Sequence, residues 1–309
     1  MLFDSVIEGF WLAKRRTLSE NTVRDYTVTF SRLREFVGAG TGFEQIGSEQ
    51  IHKFLNHLRD KIGLGDKTLA NAWIAMSSLW SWAEVELGIP HALRGSVQRP
   101  SYRLPQIEPY SKADVGAMLN ACEKSAGWDA RNGNKVESRR DTALRDRTIL
   151  LVLLDTGVRA SELCDFVISD YDSKRGRLMV RKGKGKKQRV VFLGMNTRKV
   201  LWRYLADRPD AKQGDPLFAT RGGQPLDRNG LRHMIQRCAA RGGVMKATVH
   251  RFRHTFAITF LRNGGSVLQL QALLGHEKLE TIRIYAKLAE MDLERAQEVA
   301  SPVDGWDFR

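Results

Sequence analysis

The sequence has few cysteines and no long apolar run. Its 309 residues include three cysteines, Cys122, Cys164 and Cys238. An odd, widely spaced set argues against a disulfide framework and for a reducing compartment. The longest strongly apolar run, residues 149–154, is far shorter than the roughly 20 residues of a membrane helix, and the N-terminus lacks a signal-peptide pattern. The sequence therefore predicts a cytoplasmic protein with no membrane span.

Acidic residues are scarce relative to basic ones. The chain has 50 Lys and Arg against 35 Asp and Glu, a net charge of +15. Residues 1–108 are nearly neutral, with 13 basic and 12 acidic groups, so the excess lies in residues 109–309, with 37 and 23. Residues 174–189 hold nine basic and no acidic groups. Because glycines break any helix there, contact with phosphate is favoured over a membrane helix, and a solvated charged loop is the alternative.

Length and composition predict two globular domains. Apolar residues make up 42% and charged residues 28%, both within the globular range. Helical spacing of apolar residues predicts a first helix near residues 2–14 and three more within 19–87, with Ser48 as an N-cap. Four prolines then interrupt the pattern: Pro90, Pro100, Pro105 and Pro109. We therefore expect a helical domain at 1–95, a linker at 96–110 and a second domain at 111–309.

The second domain is predicted to be mostly helical with a small antiparallel sheet. A helix begins at Ser111, with Asp114 at a position that favours a helix N-terminus. Residues 125–142 are polar and predict a surface loop, and a buried helix follows and stops at Gly157. Residues 177–182 and 189–193 have strand character and predict a β-hairpin with a basic tip. The fold class is therefore mainly α, with a mixed α+β second domain.

Polar groups with chemical potential cluster in residues 250–256. On a helix, His250 and Arg253 lie one turn apart and can address a single ligand atom. A metal site is the alternative, because His250 and His254 have i, i+4 spacing and His276 could be a third ligand. Two arginines inside the motif, and the lack of a Glu after the first His, argue against a cation there.

A wider set of motifs resembles the tyrosine recombinase family of phage integrase and Xer-like proteins. The set consists of Thr-Gly-Val-Arg-Ala-Ser-Glu-Leu at 156–163, Gly-Lys-Gly at 183–185, His-x-x-Arg-His-Thr at 250–255, Leu-Gly-His at 274–276, and Tyr285. The resemblance covers nearly the whole chain. It implies that the first domain is the family's helical core-binding (SAM-like) domain and the second its catalytic domain.

The resemblance also implies roles for individual residues. Tyr285 would attack the scissile phosphate of DNA and become joined to the 3′ end, while Arg159 and Arg253 would stabilise the negative charge that develops on the phosphate oxygens. His250 would act in proton transfer, Lys184 would protonate the departing 5′ oxygen, and His276 would donate a hydrogen bond. Glu162 is expected to form a supporting ion pair or hydrogen bond. No metal or cofactor is expected.

Double-stranded DNA is the expected partner, gripped by both domains as a clamp. Candidate DNA-binding residues are basic groups on the first domain and around the hairpin: Lys14, Arg15, Arg16, Arg24, Lys67, Lys182, Lys186, Lys187 and Arg189. The expected working form is a homotetramer on two DNA sites, with an accessory protein or partner recombinase left open. A tail from residue 289 onward has helical spacing and would dock on a neighbouring protomer or fold back on its own core.

Two other functions remain open from the residues alone. One is a DNA-binding or architectural protein that keeps the fold without strand cleavage, and the other is a type IB topoisomerase-like enzyme. The chain also departs from the family pattern in three places. Ala-Lys follows Tyr285 where Thr-His is common, Ile-Pro-His stands at 89–91 where many members have Asn-Pro, and the loop at 125–142 is longer than usual. The task, whether dimer resolution, phage integration, plasmid resolution or transposition, is not determined.

Overall fold

The computed structural model describes residues 1–38, 40–103, 108–123, 140–181, 188–275 and 285, together with the backbone of 128–129 and 135–136. The chain divides into two compact units, Met1–Pro105 and Gln106–Arg309. Each has its own hydrophobic core. None of the helices in the described part is both long and apolar enough to cross a membrane.

The first unit is a bundle of four helices. They are α1 (Phe3–Lys14), α2 (Glu20–Val37), α3 (Ser48–Asp60) and α4 (Asp66–Leu87), which confirms the four predicted helices. Aromatic rings fill much of its core, with Phe10 in contact with Phe30 and Trp82. The prediction of Ser48 as N-cap is wrong by one residue. Gly47 takes that position because the Gln50 side chain accepts a hydrogen bond from its amide.

Both ends of the predicted linker pack against a core. Val97 in the linker, like Leu93 just before it, is buried in the first unit, and the Trp73 indole donates a hydrogen bond to the Val97 carbonyl at 3.0 Å. Tyr110 is buried in the second unit, where its ring contacts Phe252. The apolar side chains at these positions explain the packing, because prolines interrupt helices without preventing burial.

Seven helices form most of the described second unit. They are α5 (Lys112–Ala121), α6 (Ala143–Thr156), α7 (Ala160–Cys164), α8 (Met195–Ala206), α9 (Arg228–Arg241), α10 (Val249–Arg262) and α11 (Val267–Leu274). The predicted start at Ser111 is confirmed: its hydroxyl accepts from the Asp114 amide, and the Asp114 carboxylate accepts from the Ser111 amide. The side chains of Cys122, Cys164 and Cys238 are free thiols in the structure.

A three-stranded antiparallel sheet completes the fold. Within the predicted loop at 125–142, the strands β1 (Trp128–Asp129) and β2 (Lys135–Val136) pair with each other. The main sheet has the order β3 (Tyr171–Asp172), β4 (Arg177–Val180), β5 (Arg189–Phe192). The pairing of β4 with β5 confirms the predicted hairpin, whose basic tip at 182–187 lies outside the described residues. The predicted mainly α fold with a small sheet is confirmed.

Gly157 ends α6 in a crowded left-handed turn. Its φ is +60°, and a Cβ there would lie 2.5 Å from a Phe256 ring carbon and 3.0 Å from a Leu274 methyl. We expect Gly157→Ala to lower the unfolding free energy by about 3 kcal/mol, from left-handed strain plus overpacking. Gly243 has a similar φ of +70° but nothing within 4 Å of its Cβ position, so Gly243→Ala should cost about 1 kcal/mol. Urea unfolding followed by circular dichroism compares the two, and equal losses would contradict the crowding.

Candidate functional site

Three segments of the second unit converge on one polar cluster. After Gly157 ends α6, Val158 is buried and the next residue, Arg159, is the N-cap of α7. The second segment is α10, which carries His250, Arg253 and His254. The third is the start of β5 at Arg189, which the hairpin register places opposite Val180. Residues far apart in the sequence thus meet through the packing of two helices and a sheet.

Arg253 is a buried cation that joins the ends of two helices. Its side chain donates from Nη1 to the Gly157 carbonyl at 2.7 Å and from Nη2 to the Leu274 carbonyl at 2.8 Å. These carbonyls lie at the C-terminal ends of α6 and α11, where helix dipoles favour positive charge. Burial, with the nearby Arg159 charge, lowers the pKa of Arg253 to about 10. The guanidinium therefore stays protonated at neutral pH.

Glu162 is a buried carboxylate shared by two arginines. It accepts from Arg159 Nη1 at 2.8 Å and from the Arg159 amide at 2.8 Å, and from Arg189 Nη1 and Nη2 at 2.9 and 2.7 Å. Burial alone would raise the pKa of Glu162, but the hydrogen bonds from Arg189 and Arg159 outweigh it and lower the pKa to about 2. These contacts confirm the expected supporting role of Glu162.

Arg159 differs from the two other arginines in its accessibility. Its side chain keeps 30% of its exposure, against 11% for Arg189. Among the described residues, nothing accepts a hydrogen bond from its Nε or Nη2. Arg159 is therefore held in place by one nitrogen and can present the others to a bound anion.

Arg189 connects separate elements of the second unit through hydrogen bonds. Besides its two bonds to Glu162, it donates from Nε to the Leu273 carbonyl at 2.7 Å, so it connects β5 with the end of α11. The sequence placed Arg189 among the DNA-binding groups, because it closes a run of basic residues. Only the packing reveals acceptors on its inner side.

Tyr285 packs against α10, and its hydroxyl contacts a histidine of that helix. Its Oη is 3.0 Å from His254 Nδ1, and the rings of His254 and His250 meet edge to face with centroids 4.2 Å apart. The side chain of Tyr285 is only 2% exposed and packs with apolar residues of α10 and α11. Sequence reasoning gave His254 no catalytic role, although its i, i+4 spacing from His250 already placed both on one face of a helix.

Burial keeps both members of the Tyr285–His254 pair neutral. Desolvation raises the pKa of the Tyr285 phenol, opposed by the positive charges of Arg253 and Arg159. Desolvation lowers the pKa of His254 to about 4, with help from His250 and Arg253. At neutral pH a neutral phenol and a neutral imidazole therefore share a hydrogen bond beside fixed cations. Such an arrangement suits binding of an anion and activation of a phenol as a nucleophile.

The structure thus groups four of the six residues expected to be catalytic: Arg159, His250, Arg253 and Tyr285. The other two, Lys184 and His276, lie outside the described residues, as do Lys182, Lys186, Lys187 and the tail from residue 289. The first-unit candidates Lys14, Arg15, Arg16, Arg24 and Lys67 are all exposed. No group of three His, Cys, Asp or Glu side chains suited to a metal occurs in the described part.

Two family models match the chain. The model of the phage integrase family matches residues 112–291. The model of the phage integrase N-terminal SAM-like domain matches residues 7–86. The two matches fall in the second and first unit respectively.

Curated relatives align with almost all of the chain. The tyrosine recombinase XerA of Thermococcus kodakarensis is 36% identical and covers 93% of this chain and 91% of the relative. The tyrosine recombinase XerC of Mycobacterium sp. (strain JLS) is 30% identical, with coverage of 97% and 99%.

Solved structures of DNA complexes share the fold. The Tn1549 transposon integrase in complex with transposon right end DNA has a TM-score of 0.74 at 18% identity, covering 97% of this chain and 100% of that one. A lambda integrase dimer bound to a COC′ core site has a TM-score of 0.72 at 17% identity, covering 94% and 96%. At these identities the likeness establishes the fold alone.

The contacts of Glu162 predict a pH-dependent stability. Because its pKa is lower in the folded chain than in the unfolded one, its contribution is complete above about pH 5 and is lost as pH falls toward 2. We expect the stability difference between wild type and Glu162→Gln to shrink by about 3 kcal/mol over that interval. Urea unfolding at several pH values measures it. Glu49→Gln, which removes an exposed partner of Lys53, is the control, and a similar pH slope for both variants would contradict the prediction.

Proposed function

Since the chain belongs to the phage integrase family of tyrosine recombinases, we propose that it is a site-specific recombinase that acts on duplex DNA in the cytoplasm. It cuts one strand through Tyr285, keeps the 3′ end as a phosphotyrosyl ester, and rejoins the strand to a new 5′ hydroxyl. The ester conserves the energy of the broken phosphodiester bond, so rejoining needs no nucleotide hydrolysis.

The strongest support is the position of Arg159 next to the buried Arg253 and Tyr285. Transfer at phosphorus builds negative charge on the non-bridging oxygens, and guanidinium groups stabilise that charge with directed N–H bonds. Arg253 is held by two backbone carbonyls, and Arg159 is held by Glu162 with other nitrogens available. In the proposed mechanism, both cations are in place before DNA arrives, so little reorganisation is needed during the reaction.

The remaining proposed roles divide the proton transfers. Tyr285 attacks phosphorus, the bond to the 5′ oxygen breaks, and Lys184 supplies the proton that this oxygen takes. His250 takes part in proton transfer, and His276 donates a hydrogen bond to the transition state. These assignments follow the family motif, residue by residue.

DNA binding is proposed for both units. Structural neighbours are described as complexes with transposon end DNA and with a core site. In this chain five exposed basic groups are the proposed phosphate contacts of the first unit, joined by the basic hairpin of the second. They lie at the end of α1 and just after it, in α2 and in α4: Lys14, Arg15, Arg16, Arg24 and Lys67. The proposed working form is a homotetramer on two DNA sites, and affinity should fall steeply with salt.

Cleavage through Tyr285 is tested with a nicked suicide substrate, from which the short 5′ fragment diffuses away. We expect wild type to form a covalent protein–DNA adduct that is visible on a denaturing gel. The adduct accumulates because the phenol displaces the 5′ oxygen and the departed fragment is no longer there to reverse the reaction. Tyr285→Phe should form none while binding the same DNA. If wild type forms no adduct on its own recombination site, the enzyme proposal is wrong and a purely DNA-binding protein remains.

The role of Arg159 is tested by the rate of adduct formation. Arg159→Ala should slow cleavage by about 100-fold or more, as expected for loss of about 3 kcal/mol of transition-state stabilisation. Arg159→Lys keeps the charge but loses the planar guanidinium, so its cleavage rate should lie between those of wild type and Arg159→Ala. Binding of DNA should change little, since Arg159 is one of many cations. Equal losses in binding and cleavage would make Arg159 a positioning group for DNA only.

A further inference from the structure

His254 touches the hydroxyl of Tyr285 and has no role in the mechanism described so far. Its Nδ1 lies 3.0 Å from Tyr285 Oη, the distance of a hydrogen bond. The two rings are tilted by 56° with centroids 5.5 Å apart. This contact joins the proposed nucleophile directly to a side chain that can carry a proton.

The position of His254 is set by a well-anchored helix. Phe252, Arg253, Thr255 and Phe256 on either side of it are all buried. Thr255 accepts from the Tyr110 amide at 2.8 Å and donates to the Arg251 carbonyl at 2.8 Å. Arg253 bonds to two carbonyls on other elements. The imidazole therefore has a fixed location, as a proton acceptor in a reaction requires.

His254 is neutral and can therefore accept a hydrogen bond or a proton. Burial and the charges of His250 and Arg253, the groups that face it besides Tyr285 in the described structure, lower its pKa to about 4. The ring is therefore neutral near pH 7 and has one nitrogen with a lone pair. A phenol is a better donor than acceptor, so the chemistry assigns the hydrogen to Tyr285 and the lone pair to Nδ1.

We propose that His254 is a catalytic residue, the group that removes the proton from Tyr285 during strand cleavage. This inference rests on the proposed function. As the phenolic oxygen forms its bond to phosphorus, its O–H bond breaks and the proton passes to His254 Nδ1, while the 5′ oxygen leaves with a proton from Lys184. In rejoining, the incoming 5′ hydroxyl gives its proton to the Lys184 amine as its oxygen bonds to phosphorus, and the imidazolium returns its proton to the departing phenolic oxygen. Atoms and charges balance over the two half-reactions.

Bound DNA would bring the pKa of His254 closer to that of the Tyr285 phenol. A phosphate brings negative charge close to the ring, which favours the imidazolium and moves the pKa of His254 up toward neutrality. Without DNA, burial and the charges of His250 and Arg253 keep the imidazole unprotonated. Because Tyr285 is 2% exposed, the hydroxyl must become accessible to the phosphate before reaction.

The experiment measures single-turnover cleavage by wild type, His254→Ala and His254→Gln on two suicide substrates. One carries the ordinary 5′ oxygen at the scissile phosphate and the other carries sulfur there, whose thiolate leaves without a proton. His233, an exposed histidine of α9, supplies the control variant His233→Ala. DNA affinity and urea unfolding are measured for every variant.

We expect both His254 variants to cleave about 100-fold or more slowly on both substrates, the size of effect expected for a lost general base. Sulfur should not rescue them, because the missing step is removal of the phenolic proton. Their rates should keep rising with pH where wild type has levelled off, since ionisation of the phenol by solvent replaces the imidazole. His233→Ala should behave like wild type.

Three results would overturn the assignment. Restoration of the rate by sulfur would make His254 the donor to the leaving group. A rate for His254→Gln within about threefold of wild type would show that accepting a hydrogen bond is enough, because Gln cannot accept a proton. A plateau at the same pH in wild type and variants would place the titrating base elsewhere. In each case wild type still forms the adduct, which separates failure of this inference from failure of the proposed function.

Discussion

The buried guanidinium of Arg253 is the contact on which the site depends. It neutralises the C-terminal ends of α6 and α11 by bonding to the Gly157 and Leu274 carbonyls. Gly157 lies two residues before Arg159, and Leu274 is the first residue of the Leu-Gly-His motif, so one cation connects two segments of the predicted site. A charge buried this deeply is stable only with its acceptors in place, which links the folding of the unit to the geometry of its site.

Close to Arg253 lie both charged groups and a neutral pair of side chains. Glu162 holds Arg159 and Arg189, and its low pKa keeps it ionised at any physiological pH. The Tyr285–His254 pair is neutral because burial disfavours its charged forms. In the proposed reaction, a bound phosphate would change this balance by adding negative charge beside these cations. Under the proposed function, the free protein therefore holds the Tyr285 phenol neutral, and the phosphate of the substrate would supply the charge that activates it.

Local sequence signals predicted most of the secondary structure. The β4–β5 hairpin followed from two segments with strand character around a glycine-rich basic stretch. The start of α5 followed from Ser111 and from Asp114, an acidic residue where a helix N-terminus favours one, and the structure shows reciprocal hydrogen bonds between the two. The sequence did not reveal the burial of Val97 and Tyr110 at the ends of the proline-rich segment. Their partners are distant in the chain, and no periodic pattern marks a single apolar residue that packs on a remote core.

The sequence by itself determined the family, the helical character of both units and the identities of the polar groups, because these follow from residue types, their spacing within an element and the order of motifs along the chain. Only the tertiary structure decided what each group touches. Arg189 belongs to a run of basic residues, yet its guanidinium turns inward to Glu162 and Leu273. His254 is one histidine among seven, yet the packing of Tyr285 against α10 places it on the phenol. Hydrogen bonds depend on distances of a few tenths of an ångström between remote segments, and those distances are set by how the cores pack.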